Sequence, residues 1–237
     1  MNKKILISLA VIGVVAAIAI GGTIAYFSDT ETSTGNTFTA GKLDLIFRKE
    51  VSLGQWEEVL GEPLFTVTDM KPGDSDEVTV DLVVDNNPAC GKVTINVTSD
   101  KDNSCTEPEL LDDTTCSDPD GDGELNDQVN FLVWKDNGAG ANACNNVLDT
   151  DETSLVSGPL TGNVVYSIGD LPTTTPDCYG IAYCFGAWVV GTPYTCDGQN
   201  VNNAAQTDSF AANLIIDALQ KRHQYEPNCP AVGPWTP

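Results

Sequence analysis

Short runs in which apolar and polar residues alternate recur along most of the chain, and a period of two is typical of β-strands with one buried face. In residues 77–85, for example, Val or Leu stands at every second position. The strands predicted in this way are 37–47, 77–85, 92–99, 128–134, 162–171 and 179–190. Turns are predicted at 72–73, 86–88 and 158–159, where Pro, Gly or Asn interrupt the pattern. Many short strands separated by turns predict an all-β protein of the β-sandwich class.

Residues 207–223 are compatible with two different elements. With a helical period, Phe210, Leu214 and Leu219 lie on one face, and the content of Ala, Leu, Gln and Lys favours a helix. With a period of two, Phe210, Leu214 and Ile216 lie on one face of a strand. The hydrophobic pattern alone therefore leaves both the helix and the strand open.

The N-terminal 25 residues have the pattern of a secretory signal peptide. Lys3 and Lys4 form a basic start, residues 5–20 are almost entirely apolar, and small residues follow. We therefore predict a signal peptide at 1–25 that a signal peptidase removes after Ala25. The apolar run is also long enough to cross a bilayer, so a retained membrane anchor is the alternative.

Charge and cysteine content narrow the class of protein. The chain has 34 acidic and 11 basic residues, and without Lys3 and Lys4 nine basic residues remain, for a net charge of about −25. Such a charge repels nucleic acids and anionic membranes, so we expect neither as a partner. The eight cysteines of an exported chain predict a disulfide framework. The β-sandwich domain is expected to span 41–237 and to carry long loops that disulfides staple.

An acidic insertion at 101–128 contains the clearest candidate for metal binding, the segment SDPDGDGELND at 117–127. Alternating carboxylates followed by Gly123 can wrap a hard cation such as Ca²⁺, with a backbone carbonyl from the next residue. The predicted calcium ligands are Asp118, Asp120, Asp122, Glu124 and Asp127. An EF-hand would require a Glu where the chain has Val129, so we expect a shorter calcium loop. A solvated acidic turn is the alternative.

Eight thiols allow many pairings, and position along the chain suggests one set. Cys105 and Cys116 bracket the acidic insertion, Cys184 and Cys196 flank a turn region, and Cys229 could tie down the C-terminal tail. The predicted pairs are Cys105 with Cys116, Cys184 with Cys196, Cys178 with Cys229 and, by elimination, Cys90 with Cys144.

Four segments carry a resemblance to a known family. Residues 25–29 (AYFSD) and 36–45 (NTFTAGKLDL) follow the apolar run, 70–74 (MKPGD) precede a long predicted strand, and 215–220 (IIDALQ) lie near the C-terminus. They resemble segments of the TasA/camelysin family, whose members are exported by the SipW-type signal peptidase route. The cysteine-rich middle resembles relatives from archaea and little-studied bacteria. The resemblance implies a jelly-roll-like β-sandwich in which 209–221 is the final strand.

The resemblance also implies a function for the polar segment after the signal peptide. In TasA-like fibres the N-terminal arm of each subunit completes a sheet of its neighbour, which is donor-strand complementation. Here the arm is 26–40, and its β-branched and aromatic residues suit an added strand. The expected arm residues are Tyr26, Phe27, Thr30, Thr32, Thr34 and Phe38. The chain is thus predicted to be a secreted subunit of an extracellular, biofilm-matrix filament that polymerises with copies of itself. In the alternative, the arm is only a tether.

Two rival classes of function are open. Camelysin carries a metalloprotease label in its family, but this chain has a single histidine, His223, and neither an H-E-x-x-H nor a G-x-S-x-G motif. We therefore predict that it is not an enzyme and takes no small-molecule substrate. The other class is a surface adhesin or carbohydrate-binding β-sandwich, monomeric or membrane-anchored. Its binding surface could use Trp56, Trp134 or Trp235.

An N-glycosylation sequon, NVT, occupies residues 96–98. It lies within a predicted strand whose apolar face contains Val93, Ile95 and Val97. Because side chains alternate across a strand, Asn96 must point to the opposite face. We therefore predict that Asn96 can be glycosylated.

Overall fold

Two antiparallel β-sheets pack face to face across an apolar core in the computed structural model of the chain. The structure describes residues 43–116, 122–191, 193–221 and 229–234. The predicted signal peptide at 1–25 and the predicted arm at 26–40 lie outside the described residues. The two sheets confirm the prediction of an all-β, sandwich-like fold.

Strands account for most of the regular structure within the described residues. The strands are β1 (Asp44–Ser52), β2 (Gln55–Glu58), β3 (Ser75–Asp85), β4 (Ala89–Lys101), β5 (Val129–Lys135), β6 (Thr153–Pro159), β7 (Val164–Leu171), β8 (Asp177–Phe185), β9 (Ala187–Val189), β10 (Thr195–Asp197), β11 (Ser209–Gln220) and β12 (Gly233–Pro234). The helices are α1 (Glu109–Asp112) and α2 (Leu125–Gln128), and 3₁₀ turns occur at Gly140–Asn142 and Asn203–Ala205. In this part of the chain, no helix has the length and apolar character that a membrane span requires.

The larger sheet has the strand order β2-β1-β3-β8-β5-β6, and the smaller has the order β11-β4-β7-β12. Strands β9 and β10 form a separate two-stranded ribbon. Alternation places Val80, Leu82 and Val84 of β3 in one core cluster with Val93 and Ile95 of β4. The period of two in the sequence thus becomes the two inner faces of the sandwich.

Within 207–223, the residues Ser209–Gln220 form a strand, as the family resemblance implied and the residue composition did not. Strand β11 runs antiparallel to β4 over its whole length, with Leu214 opposite Ile95 and Ile216 opposite Val93. A bulge interrupts the register between Ala211 and Ala212. The cross-strand partners supplied by β4 outweigh the mild helix propensity of the segment.

Two predictions about strand boundaries are wrong. Residues 179–190 were expected to form one strand, but the chain bends at Gly186 (φ 138°) and continues in a different ribbon. A Cβ atom at Gly186 would lie 2.2 Å from the Asp197 carbonyl oxygen, so the bend requires glycine. The predicted turn at 158–159 is instead the end of β6, opposite Phe131 and Asn130. Because β6 is an edge strand, it tolerates a proline.

Two of the predicted disulfide pairs are present and two are wrong. The structure pairs Cys105 with Cys116 and Cys184 with Cys196, as expected. Cys90 bonds to Cys229 and Cys144 to Cys178, whereas Cys178 with Cys229 and Cys90 with Cys144 were predicted.

The physical reason for the two wrong pairs is the path of the C-terminal segment. Strand β12 pairs with β7, which is the neighbour of β4 in the smaller sheet. The C-terminal segment therefore passes beside Cys90 in β4, whereas Cys178 lies on β8 in the larger sheet. Two backbone hydrogen bonds hold Cys144 near Cys178. The N–H of Cys144 donates to the carbonyl oxygen of Asp136, and the N–H of Asp136 donates to the carbonyl oxygen of Cys178.

Candidate functional site

Three carboxylates, two from neighbouring segments and one from a distant part of the chain, meet at one end of the smaller sheet. Asp102 directly follows β4, Asp208 directly precedes β11, and Glu109 is the first residue of α1. One carboxylate oxygen from each lies within 4.8 Å of the other two. Ser209 pairs with Lys101, and this register brings Asp102 and Asp208 together.

The surrounding segments are fitted closely to these three residues. The disulfide between Cys105 and Cys116 closes the loop that carries α1. The backbone N–H of Glu124 donates to Asp208 Oδ2 at 2.7 Å. A Cβ atom at Gly123 would lie 2.7 Å from the Lys101 carbonyl oxygen, so a larger residue could not approach β4 this closely.

Carboxylate oxygens at this end of the sheet lack hydrogen-bond partners. We define the carboxylate cluster as Asp100, Asp102, Glu109, Asp113, Glu124 and Asp208. Each of these six residues has one buried oxygen that accepts no hydrogen bond from a described residue. Among the described residues, no other carboxylate oxygen is both buried and unpartnered. Glu109 itself is completely buried, and only its second oxygen is used, by the N–H of Thr106 at 2.9 Å.

Burial raises the pKa of three carboxyl groups of the cluster, those of Asp100, Glu124 and Asp208. Burial raises the pKa of Glu124 to about 7, and three neighbouring carboxyl groups add to the shift. Burial also raises the pKa of Asp208 to about 6, against the opposing effect of the N–H donated by Glu124. Within the described ranges, no Lys or Arg forms a salt bridge with any residue of the cluster.

We expect the metal-free protein to become more stable as the pH falls from about 8 to about 5.5. The carboxyl of Glu124 has an ordinary pKa of 4.5 in the unfolded chain and about 7 in the folded protein. Between these values the folded state binds the extra proton, so this contribution is complete below the lower pKa and lost as the pH rises through the higher one.

The measurement is the melting temperature in EDTA across this pH range. In Glu124→Gln the carboxyl is absent, so the variant should melt above the parent near pH 8, and the gap should close near pH 5.5. A gap that is independent of pH would contradict the role assigned to Glu124.

The structure places the predicted calcium ligands only in part. Asp118 and Asp120 lie outside the described residues. Asp122 and Asp127 are exposed, although both are close enough to Asp100 to raise its pKa, after the larger effect of burial. Glu124 was expected to contribute its carbonyl, but it is its carboxyl group that belongs to the cluster. Calcium binding by the loop at 117–127 stays a prediction.

Sequence reasoning missed Asp102, Glu109 and Asp208. The three residues follow no short motif, because only the pairing of β4 with β11 brings Asp208 to Asp102. The abundance of acidic residues between Cys105 and Asp127 was the only local signal, and the prediction based on it named the carboxylates at 118–127 instead.

The outer edge of β11 is the second feature of interest. Within the described residues, β11 pairs with β4 on one side and with no strand on the other. The strand is twelve residues long. On its core side Leu214 and Ile216 are only partly buried, and on its outer side Ile215 is 43% exposed. A long row of backbone N–H and C=O groups therefore lacks a strand partner in the described part of the chain.

The structure describes two of the three tryptophans that were candidates for a binding surface. Trp134 is 2% exposed and packs in the core, so it cannot form a binding surface. Trp56 is partly buried beneath the Arg48 guanidinium, which lies 5.9 Å from the ring centroid, and Trp235 lies outside the described residues.

Asn96 stands opposite Asn213 and alternates with the buried Ile95, on the outer face of the sheet. Its glycosylation stays a prediction.

These features define a class: an all-β sandwich cross-linked by disulfides, with a long sheet edge that no described strand covers and a buried group of carboxylates. A family model described as camelysin metallo-endopeptidase matches residues 1–155 of the 237-residue chain. The chain belongs to this camelysin family, which confirms the TasA/camelysin resemblance. A search of curated proteins found no match.

The described residues do not provide the donors of a catalytic zinc ion. Such a site uses about three protein ligands, mostly His with Glu or Cys. All eight cysteines form disulfides, so no thiolate is available. The one histidine of the chain, His223, lies outside the described residues. The remaining donors are carboxylates, which suit harder cations than zinc.

Proposed function

We propose that the protein is a secreted structural subunit of an extracellular filament. In this proposal, residues 26–40 of one copy add as a strand to the outer edge of β11 in the next copy. The observation that carries the proposal is the outer edge of β11, which no described strand covers and which can pair with an extended segment.

The edge of β11 lacks the features that usually protect a sheet edge. Soluble proteins blunt their edges with short strands, prolines or charged side chains. Strand β2 has four residues, half of them Glu, strand β6 ends in Pro159, and β12 has two residues. By contrast β11 has twelve residues and no proline, and its single charged residue, Asp217, pairs with Lys92 at 2.9 Å. Only the bulge at 211–212 interrupts it.

The arm matches this edge in length and chemistry. Fifteen extended residues, as in 26–40, span roughly 50 Å, and the twelve residues of β11 span roughly 40 Å. The threonines of the arm favour an extended backbone, while Tyr26, Phe27 and Phe38 are large enough to cover the partly buried core side of β11. Because donor and acceptor are different surfaces, the contact is head-to-tail and repeats without closing.

Membership in the camelysin family is equally compatible with a peptidase, and we propose that this chain is not one. This proposal is supported by the lack of suitable zinc ligands, since the described residues supply neither a histidine nor a free thiol. A location outside the cytoplasm is supported by the disulfides, which persist in oxidising compartments.

The test is negative-stain microscopy of the secreted protein whose chain begins at Tyr26. We expect unbranched filaments, which sediment and which contain all four disulfides. Monodisperse particles that bind glycans would contradict the proposal and support the adhesin. Hydrolysis of a peptide substrate that a chelator abolishes would support the peptidase instead. N-terminal sequencing that finds Met1 on the surface protein would favour the membrane anchor.

A further inference from the structure

We propose that Asp102, Glu109 and Asp208 bind a hard divalent cation, Ca²⁺, at the end of the β4–β11 pair. The site differs from the predicted loop at 117–127, because Asp102 and Glu109 precede that loop and Asp208 comes from a distant part of the sequence. Glu109 is 0% exposed, and its Oε1 accepts no hydrogen bond from a described residue. One carboxylate oxygen of Glu109 lies within 4.8 Å of one oxygen from each of the other two residues. The inference does not depend on filament formation.

Buried carboxylates elsewhere in the protein have hydrogen-bond partners for both oxygens. Asp81 is buried, and its two oxygens accept hydrogen bonds from the Arg48 guanidinium. Asp136 is also buried, and its oxygens accept the backbone N–H groups of Asn145 and Asn146. Burial therefore does not by itself leave carboxylate oxygens unpaired in this fold.

At the proposed site one oxygen of each ligand is left over after the local hydrogen bonds are made. Asp208 Oδ2 accepts the N–H of Glu124, and Glu109 Oε2 accepts the N–H of Thr106. The opposite oxygen of each residue has no hydrogen-bond partner among the described residues. Asp102 Oδ1 is unpartnered as well. Burying like charges this close together without a counter-ion is costly, and a bound cation would remove that cost.

The geometry and chemistry of the donors favour calcium. Calcium takes oxygen ligands at about 2.3–2.6 Å, so two oxygens on opposite sides of one ion are separated by up to about 5 Å. The 4.8 Å limit on the separations of the three oxygens agrees with this span. A cation bound there would join the last residues of β4, the first residue of α1 and the start of β11. It should therefore stabilise the folded chain.

The test is the melting temperature of the disulfide-bonded secreted protein in EDTA and in about 1 mM free Ca²⁺, together with calorimetric titration of Ca²⁺. We expect calcium to raise the melting temperature of the parent by about 4 °C or more. Glu109→Gln should lose most of this shift and bind Ca²⁺ at least about ten-fold more weakly, because it removes one charged ligand. Asp102→Asn is a second variant with the same expected result, in case the first folds poorly.

Glu107→Gln is the matched control, since Glu107 lies two residues from Glu109 but is exposed. It should keep the full calcium shift. The inference is overturned if the parent shows neither a shift nor a heat of binding, or if Glu109→Gln and Asp102→Asn respond as the parent does. It is also overturned if only Asp120→Ala with Asp122→Ala removes the shift, because the loop at 117–127 would then be the site.

Discussion

Deleting residues 26–35 should leave a folded, disulfide-bonded monomer that no longer polymerises. The described strands begin at Asp44, and the core is built from β1 and the strands that follow it, so the deletion removes no described core residue. What it removes is most of the segment proposed to pair with β11 of the next copy. Sedimentation and electron microscopy should show loss of filaments, with an unchanged disulfide content.

Two additions make the deletion experiment specific. A synthetic peptide of residues 26–40 should bind the deletion variant and raise its melting temperature, because a ligand that binds only the folded state stabilises it. Proline at Thr32 or Thr34 should weaken polymerisation, since proline lacks the N–H that an added strand must donate. Valine at the same positions keeps that N–H and is the control. If the deletion variant still forms filaments of normal width, the arm is a tether.

Replacing Gly180 by alanine should destabilise the fold strongly. Gly180 lies opposite Trp134 in the pairing of β8 with β5, and an added Cβ would lie 1.9 Å from the indole ring. Trp134 is 2% exposed, so the ring has no free space into which it can move. We expect a loss of about 3 kcal/mol or more in the free energy of unfolding, at the upper end for overpacked cores. Denaturant unfolding with intact disulfides measures it.

Two comparisons separate this clash from a general effect of alanine. At Gly91 an added Cβ would lie 2.4 Å from Ile168 Cγ1 and 2.9 Å from Leu171 Cδ2. These contacts are longer than the 1.9 Å at Gly180 and involve smaller side chains than an indole ring, so Gly91→Ala should cost less than Gly180→Ala. In a Trp134→Phe background the part of the indole ring nearest to Gly180 is absent, so Gly180→Ala should also cost less there. Equal costs in the two backgrounds would show that the indole ring is not what excludes a side chain.

Local patterns were sufficient wherever a feature belongs to one short segment. Strands β3 and β4 could be predicted because a strand with one buried face must alternate apolar and polar residues. The pairs Cys105–Cys116 and Cys184–Cys196 were predictable because their members are only 11 and 12 positions apart in the sequence. The family resemblance rested on short contiguous motifs, of which those at 25–29, 36–45 and 70–74 lie within the matched region.

Only the tertiary structure decided which distant segments meet. The bond between Cys90 and Cys229 spans 139 residues and depends on the return of β12 to β7. The proximity of Asp102 and Asp208 depends on the register of β11 against β4, which the core-facing side chains of both strands set. The alternation of apolar and polar residues depends only on which face of a single strand is buried. The contacts between distant residues depend instead on how all the strands between them pack. For that reason no spacing in the sequence could reveal them.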